Sequence, residues 1–287
     1  MLIADQDVQR ALARVSQITS SLCELPAVPT LDWLDRAASC IARAADSGVV
    51  VIALASADEQ GVLSTRDAVG VAASRDRSPA EEAALTSLRS RAHRLQGSAL
   101  PFRVPSSRDV LLGRMDKLQA NWKEGPMGRL WNGHVRGDLI CAVAPMSYGP
   151  NQAILVCLDA TASGVDPAAL MAAVMPLLVR FTSECLGPTF DNPRNWLTPR
   201  EQEVLDQVAL GRSVRQIAET LGRSPHTVHD HVKALHRKLG ANTRGELIAR
   251  ALGHLARGVS AEHEGLAPRE IAEGGLPAPR GGARTLV

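Results

Sequence analysis

The most constraining feature of this chain is a regular series of helix-start signals in its C-terminal third. Between residues 198 and 253 a Ser or Thr precedes an apolar period four times, and in three cases Glu or Gln follows three positions later. This spacing is typical of a capping box, which satisfies amides that the first helical turn leaves unpaired and contributes about 1 kcal/mol. The segment therefore predicts four short helices, which begin after Thr198, Ser213, Ser224 and Thr243.

The third of these helices has a single apolar face. Val228, Val232, Leu235 and Leu239 recur at spacings of four, three and four residues, which places them in one stripe along a helix. Gly222 precedes this helix, at a sharp turn whose left-handed backbone only Gly adopts readily. Two short helices, a Gly turn and a third helix are the arrangement of a helix-turn-helix module.

The outer surface of the third helix carries basic and hydrogen-bonding side chains. Such a surface suits the DNA major groove, which is wide enough to admit a helix. A solvated face is the alternative, but the preceding short helix and Gly turn favour DNA. We expect phosphate contacts to set affinity, and His229, Asp230 and Lys233 to set sequence preference. The candidate DNA contacts are Thr227, His229, Asp230, His231, Lys233, Arg237 and Lys238, with Arg244 as a candidate phosphate contact.

This segment resembles the LuxR-type helix-turn-helix domain of bacterial transcription regulators. The resemblance rests on LTPREQEVL at 197–205, GRSVRQIAETLGRS at 211–224, TVHDHVKALHRKLGANTR at 227–244 and the ELIARAL that follows. It implies that the recognition helix runs from Thr227 to Lys238. The family usually has Lys and an aliphatic residue after the TV pair, where this chain has His229 and Asp230. Asp230 should repel phosphate, but it could accept a hydrogen bond from a cytosine amino group.

Charge is distributed as DNA binding requires. Residues 196–257 hold ten Lys or Arg and six Asp or Glu, whereas the whole chain has a formal charge of only +2. The positive charge therefore lies in the segment that is predicted to meet phosphate. Five of the eight His also fall there. Because His229 and His231 lie on different sides of their helix and no Cys is near, no metal site is expected.

The chain before this segment predicts a mixture of helices and strands. Branched residues in VVVIALAS at 49–56 indicate a buried strand, and apolar runs at 139–146 and 152–159 indicate an antiparallel hairpin around the turn SYGPN. A further strand is expected within 61–73. Residues 98–135 are expected to be irregular, because they are rich in Gly, Pro and Arg. Helices are predicted at 5–22, 31–45, 78–97 and 166–186.

One antiparallel sheet with packed helices is the economical arrangement of these elements, so the predicted fold class is α+β, followed by an all-α helix-turn-helix domain. Residues 31–186 resemble a GAF-like or PAS-like sensory domain. That resemblance rests on the opening helix into VVVIALAS and on the LICAVAP and NQAILVCLD hairpin ahead of a long exit helix. The expected organisation is an N-terminal amphipathic helix and linker at 1–30, the sensory domain at 31–186, a linker at 187–195, the helix-turn-helix domain at 196–257 and a disordered tail at 258–287.

Other regulator and enzyme classes fit the sequence less well. A receiver domain needs an acidic pair after its first strand, for which Asp58 and Glu59 are poorly placed, and a domain for acyl-homoserine lactones relies on pocket aromatics that are scarce here. The sequence has no Walker-type phosphate loop and no catalytic constellation, so neither a cofactor nor an enzymatic activity is expected. Two alternatives remain. A sigma factor would need a helical promoter-melting domain upstream, and an enzyme with an accessory DNA-binding module would need a catalytic cluster within 31–186.

The cellular compartment is indicated by the N-terminus, the apolar runs and the Cys residues. MLIADQDVQR is broken by charge too early for a signal peptide, and the longest apolar run, 168–179, is short and contains Pro176. The five Cys lack metal-binding spacing, as is typical of reduced cytosolic thiols. Cys141 and Cys157 fall on the two strands of the predicted hairpin, where buried core residues are a better interpretation than a redox pair. We expect a cytoplasmic protein without membrane contact.

Double-stranded DNA is the first predicted partner, and RNA polymerase and a small-molecule effector are further partners of such a regulator. A homodimer is predicted from the exit helix, where a seam at 4-3-4 spacing suits a two-helix contact. Coverage of its own sheet is the alternative for that face, and the first helix has a similar stripe. The exit-helix seam is Leu170, Val174, Leu177 and Phe181, and the first-helix stripe is Val8, Leu12, Val15, Ile18 and Leu22.

Overall fold

The N-terminal part of the chain is built on an antiparallel sheet. The structure, a computed structural model, describes residues 2–45, 49–73, 79–94, 97, 99–105, 109–131, 133, 138–147, 149, 151–160, 166–187 and 195–253. Within these residues the sheet has six strands in the spatial order β3-β2-β1-β6-β5-β4, and all neighbours pair antiparallel. The strands are β1 (Val49–Ala57), β2 (Val62–Ala72), β3 (Ala99–Arg103), β4 (Leu111–Arg114), β5 (Asp138–Pro145) and β6 (Gln152–Ala160).

The central strand β1 is buried on both of its faces. Val50, Ile52 and Leu54 pack into one core, which we call the first core. Val51 and Ala53 pack into a second core on the opposite face of the sheet. Because successive side chains of a strand point to opposite faces, a strand that is apolar throughout needs cover on both sides.

Helices supply this cover. The first core lies under α1 (Leu2–Cys23), α2 (Trp33–Ala44) and α6 (Pro167–Leu186). The second core lies under α3 (Pro79–Arg94), α4 (Met115–Leu118), a 3-10 turn (Trp122–Glu124) and α5 (Pro126–Trp131). Only the C-terminal half of α1 joins the first core, since Ile18 and Leu22 are buried there while Val8 and Leu12 are exposed.

The predicted fold class and the β5–β6 hairpin are confirmed, but the prediction that residues 98–135 are irregular is wrong. This stretch contains β3, β4, α4 and α5. Both strands are short and lie at the two edges of the sheet. Edge strands are often short and tolerate Gly and Pro, because one side of their backbone needs no partner strand. The Gly- and Pro-rich composition that predicted a loop is therefore also compatible with an edge strand.

Helix α6 has the predicted extent, and it continues through Pro176 without a break. The ring of Pro176 is exposed, while Val174 and Leu178 on either side are fully buried against the sheet. Burial of the flanking residues stabilises the helix across the hydrogen bond that Pro cannot make. Among the described residues, this is the one helix long and apolar enough to cross a membrane, and half of its most apolar stretch is buried within the protein.

The α6 seam that was predicted to join two protomers packs instead within the chain. Leu170 and Val174 are buried in the first core, and Leu177 and Phe181 are partly buried against it. Coverage of its own sheet, the alternative for this face, is therefore what the structure supports.

Candidate nucleic-acid interface

The last four helices begin at the predicted caps. α7 (Pro199–Ala209), α8 (Val214–Leu221), α9 (Pro225–Leu239) and α10 (Arg244–Ala251) follow Thr198, Ser213, Ser224 and Thr243, and each cap side chain accepts from the amide three residues on. The first two caps are reciprocal capping boxes. At the fourth, the Glu246 carboxylate accepts instead from the N–H of Asn242, at 2.8 Å. All four local signals therefore form the helices they predict.

The turn between α8 and α9 fixes the orientation of α9. Gly222 has φ 61° and ψ 39°, in the left-handed region that side chains disfavour. The turn allows α9 to pack its apolar stripe against the other three helices, through Val228, Leu235 and Leu239. Its remaining surface faces outward.

The outward surface of α9 carries most of the predicted DNA contacts. Asp230 Oδ2 lies 3.6 Å from Nε2 of His226, one helical turn before it. Both side chains are exposed, so the pair contributes little and leaves the carboxylate accessible. His231 is half-buried. The exposed predicted contacts are Thr227, His229, Asp230, Lys233 and Arg237.

Lys238 points into the domain, contrary to its prediction as a DNA contact. Its ammonium donates to Oε2 of Glu201 at 2.7 Å and to the carbonyl oxygen of Trp196 at 3.0 Å. The Lys238 side chain is only 13% exposed and the Glu201 side chain 8%. An ammonium held between a buried carboxylate and a carbonyl oxygen is not positioned for phosphate. We therefore remove Lys238 from the proposed contacts.

The electrostatics of Glu201 reflect this arrangement. Burial by itself would raise the pKa of Glu201, but hydrogen bonds from Lys238 and Thr198, together with the Lys238 charge, hold it below its ordinary value of 4.5. Glu201 therefore serves two helices, because it completes the α7 capping box and anchors the C-terminal turn of α9.

Comparison with known proteins is decisive for these four helices. Residues 195–251 match the model of the family described as bacterial regulatory proteins, luxR family. These residues form a LuxR-type helix-turn-helix domain. The resemblance inferred from the sequence is thereby confirmed for this part of the chain.

The alignments with curated relatives cover only part of either chain. The transcriptional regulatory protein MctR of Rhizobium johnstonii is 42% identical over 69 residues, which are 24% of this chain and 32% of MctR. The probable transcriptional regulatory protein NarL of Mycobacterium tuberculosis is 43% identical over 56 residues, which are 20% of this chain and 26% of NarL. This chain thus matches about a third or less of the length of these relatives.

A solved structure, that of Escherichia coli SdiA, is similar over a longer stretch. The superposition covers 72% of this chain and 84% of the SdiA chain, at 17% sequence identity and a TM-score of 0.30. A TM-score of this size does not assign the N-terminal part to the SdiA fold.

Two Arg residues of α10 hold the LuxR-type domain together. Nη2 of Arg244 donates to the carbonyl oxygens of Arg212 at 2.6 Å and of Val208 at 3.2 Å, which ties the start of α10 to the end of α7 and to the segment after it. Arg250 is buried and donates to the Leu239 carbonyl at 2.7 Å and to Glu246 at 2.6 Å. The role of Arg244 as a phosphate contact stays a prediction. The structure shows that Arg244 also makes hydrogen bonds within the domain.

A short segment before α2 joins the LuxR-type domain to the sheet. The N–H of Leu197 donates to the carbonyl oxygen of Pro29 at 2.7 Å, and the N–H of Leu31 donates to that of Leu197 at 2.9 Å. Val28 packs in the core of the LuxR-type domain, whereas Trp196 packs in the first core. Residues 188–194 of the predicted linker and the predicted tail at 258–287 lie outside the described residues.

Sequence reasoning missed the Glu201–Lys238 pair and this junction. The partners in the pair lie 37 positions apart, and Val28 is still farther from the domain it packs against. No spacing rule along a single helix or strand connects such residues. Elsewhere in the described residues, no three His, Cys, Asp or Glu come together as metal ligands.

We predict that Lys238→Met lowers the free energy of unfolding by about 3 kcal/mol, because it leaves a buried carboxylate without its counter-charge. Glu201→Gln/Lys238→Met should be more stable than the sum of the two single changes implies, since the partners are coupled. Thermal and urea unfolding of the full chain would measure both effects.

The matched control is Lys233→Met, which makes the same change on the exposed side of α9 and should leave stability nearly unchanged. Acid unfolding adds a second measurement. Since the folded-state pKa of Glu201 lies below 4.5, its stabilising contribution is present above that pH and is lost as the pH falls through the folded-state value. Glu201→Gln should remove that part of the pH dependence. Equal stabilities of Lys238→Met and the native chain would contradict the role given to this pair.

Proposed function

We propose that the whole chain is a DNA-binding transcriptional regulator that inserts α9 into the major groove. The observation that carries this proposal is the exposed polar and basic face of α9 within a domain that matches the luxR family. The net positive charge of residues 196–257 supports it, because neutralised phosphates supply most of the affinity of such proteins. The relatives MctR and NarL are named as transcriptional regulatory proteins.

The exposed side chains of α9 divide into two groups along its length. His229 and Asp230 lie near the N-terminal end, which in helix-turn-helix proteins meets base edges. We assign them to base contact, together with Lys233 one turn later. Arg237 lies near the C-terminal end and is assigned to phosphate. Thr227 flanks the cap, where its hydroxyl lies 2.8 Å from that of Ser224, and completes the contact surface with His231.

The N-terminal part is proposed to be a GAF-like sensory domain that binds a small effector. A small cavity, partly open to solvent, lies in the second core between strands β1, β2 and β6 of the sheet and the helices α3 and α5. Its walls are almost wholly apolar, and Thr65 has the one hydroxyl among the lining residues. An uncharged, apolar molecule is therefore the class of effector that fits.

A homodimer is proposed through α1 rather than α6. Val8 is 55% exposed and Leu12 59%, and the two lie one turn apart on the half of α1 that leaves the first core. Pairing these stripes from two protomers would remove them from water and place two LuxR-type domains on half-sites about one helical turn apart.

We place the protein in the cytoplasm and keep RNA polymerase as a predicted partner. A sigma factor remains the alternative with the closest DNA-binding module. The α+β architecture of the N-terminal part favours a sensory regulator over it, because promoter melting needs a helical domain there. The second alternative, an enzyme with an accessory DNA-binding module, would need a catalytic cluster within residues 31–186, and it is less favoured because MctR and NarL are named as transcriptional regulatory proteins.

The DNA-binding proposal predicts different outcomes at the two ends of α9. Arg237→Ala should weaken binding to all sequences alike and reduce the slope of log affinity against log salt by about one. Asp230→Ala should raise non-specific affinity, since it removes repulsion from phosphate, and should lower discrimination at one base pair by about 1–3 kcal/mol. Both are measured on a site selected from random-sequence DNA and on its single-base variants, at several salt concentrations.

The control for charge is Arg180→Ala, which removes one exposed Arg from α6 and should change neither quantity. If Arg237→Ala alters preference among the single-base variants, or if Asp230→Ala weakens all sites equally, then the placement of α9 in the groove is wrong. If the native chain selects no sequence at all, the regulator proposal fails as a whole.

The effector proposal is tested with N-phenyl-1-naphthylamine, an uncharged apolar fluorophore. Saturable binding to the full chain is expected, and Ala53→Leu should weaken it about tenfold, or 1.4 kcal/mol, because the larger side chain fills the cavity. Ala172→Leu makes the same change on the exposed face of α6 and should have no effect. Binding that both variants leave intact would remove the cavity as the effector site.

The dimer proposal predicts that Leu12→Glu yields a monomer in sedimentation at tens of micromolar protein, whereas the native chain sediments as a dimer. Leu210→Glu is the matched control, because Leu210 is also exposed, at 68%, but lies after α7 in the LuxR-type domain. A native chain that is monomeric both with and without DNA would contradict dimerisation itself.

A further inference from the structure

Two thiols face each other inside the second core. Cys141 of β5 and Cys157 of β6 are directly opposite in the register of the hairpin, and their Sγ atoms are 3.0 Å apart. The Sδ atom of Met115, at the start of α4, lies 3.6 Å from Sγ of Cys141. All three residues are almost completely buried.

The backbone already has the geometry of a cross-linked pair. Residues directly opposite on antiparallel strands have Cα atoms roughly 4.5 or 5.5 Å apart. A disulfide needs a Cα separation of roughly 4.4–6.8 Å and an S–S bond of about 2.0 Å. Movement of the two side chains alone would therefore bring the sulfur atoms of Cys141 and Cys157 to bonding distance.

One of the two thiols can be reached from the cavity. Cys157 lines the apolar cavity of the second core, which is partly open to solvent, whereas Cys141 is not among its lining residues. The other cysteines are placed differently. Cys23 is exposed, and Cys40 and Cys185 are buried in the first core on the opposite face of the sheet.

We propose that Cys141 and Cys157 are a dithiol oxidation site, which a small, uncharged organic hydroperoxide reaches through the cavity and converts to a cross-strand disulfide. The apolar walls that favour an uncharged effector also favour this class of oxidant over a charged one. The site is independent of DNA binding, and it assigns the protein a redox chemistry beyond its proposed regulatory function.

The reaction balances with one hydroperoxide. Sγ of Cys157 attacks the terminal peroxide oxygen, the O–O bond breaks, and the thiol proton passes to the departing alkoxide oxygen, which leaves as an alcohol. Sγ of Cys141 then attacks the resulting sulfenic sulfur of Cys157, and its proton leaves with the hydroxyl group as water. Two thiols are oxidised by two electrons in total, and the hydroperoxide is reduced to alcohol and water.

The order of the two steps follows from burial. Desolvation raises the pKa of the Cys141 thiol well above its usual range, and the neighbouring Cys157 adds to this rise. Cys141 does not line the cavity, so it acts second, as the resolving thiol. Cys157 acts first because it lines the path of the oxidant.

The experiment uses the full chain with Cys23→Ser, which prevents disulfides between molecules. The protein is treated with tert-butyl hydroperoxide, alkylated under denaturing conditions and analysed by intact mass and peptide mapping. We expect loss of two alkylatable thiols, a Cys141–Cys157 linked peptide and full reversal by dithiothreitol. Cys157→Ala in the same background should leave Cys141 unoxidised, and Cys40→Ala should not affect the linked peptide.

Exposed Cys23 of the native chain serves as an internal reference for access. The ratio of the oxidation rate with tert-butyl hydroperoxide to the rate with hydrogen peroxide should be larger at Cys157 than at Cys23, because only Cys157 is reached through apolar walls. Persistence of both thiols under conditions that oxidise Cys23 would overturn the site. So would a sulfinic acid at Cys157 beside an intact Cys141 thiol. These outcomes need only the native chain, so they decide the matter even where a variant does not fold.

Discussion

The position of the DNA-binding domain depends on two adjacent residues whose side chains enter different cores. Trp196 packs in the first core with the sheet, and Leu197 packs in the core of the LuxR-type domain. Their backbone is fixed as well. Leu197 exchanges hydrogen bonds with the segment before α2, and the carbonyl oxygen of Trp196 accepts from Lys238 of the recognition helix. Trp196 therefore links the packing of the first core directly to the helix that is proposed to bind DNA.

The basic residues of α9 show how one helix serves both structure and recognition. Lys238 and Arg237 are neighbours in the sequence, but about 100° of helix rotation separates their side chains. Lys238 faces a buried carboxylate and stabilises the domain, whereas Arg237 faces solvent and is available to phosphate. Charge alone does not distinguish them. The difference arises because Glu201 approaches α9 on one side only.

The two faces of the sheet have different contents, although both are buried. The first core is covered by the long helices α1, α2 and α6. The second is covered by α3 and by shorter elements that leave a cavity beside Cys157. The features proposed for small-molecule chemistry, the cavity and the dithiol, therefore share this face.

Sequence alone determined what depends on residues close together in the chain. The caps of α7 to α10 act over three residues, the α9 stripe over one or two turns, and the β5–β6 hairpin over one tight turn, so each was visible locally. Tertiary structure decided the rest. The edge strands β3 and β4 form because they pair with β2 and β5, and the composition of residues 98–135 does not indicate these partners. The tertiary structure also packs the α6 seam against the sheet of the same chain and directs Lys238 towards Glu201. It also placed Val28 in a domain that begins more than 150 positions later, at residue 195. In each case the deciding partner is distant in sequence, and only the folded chain brings the two within contact.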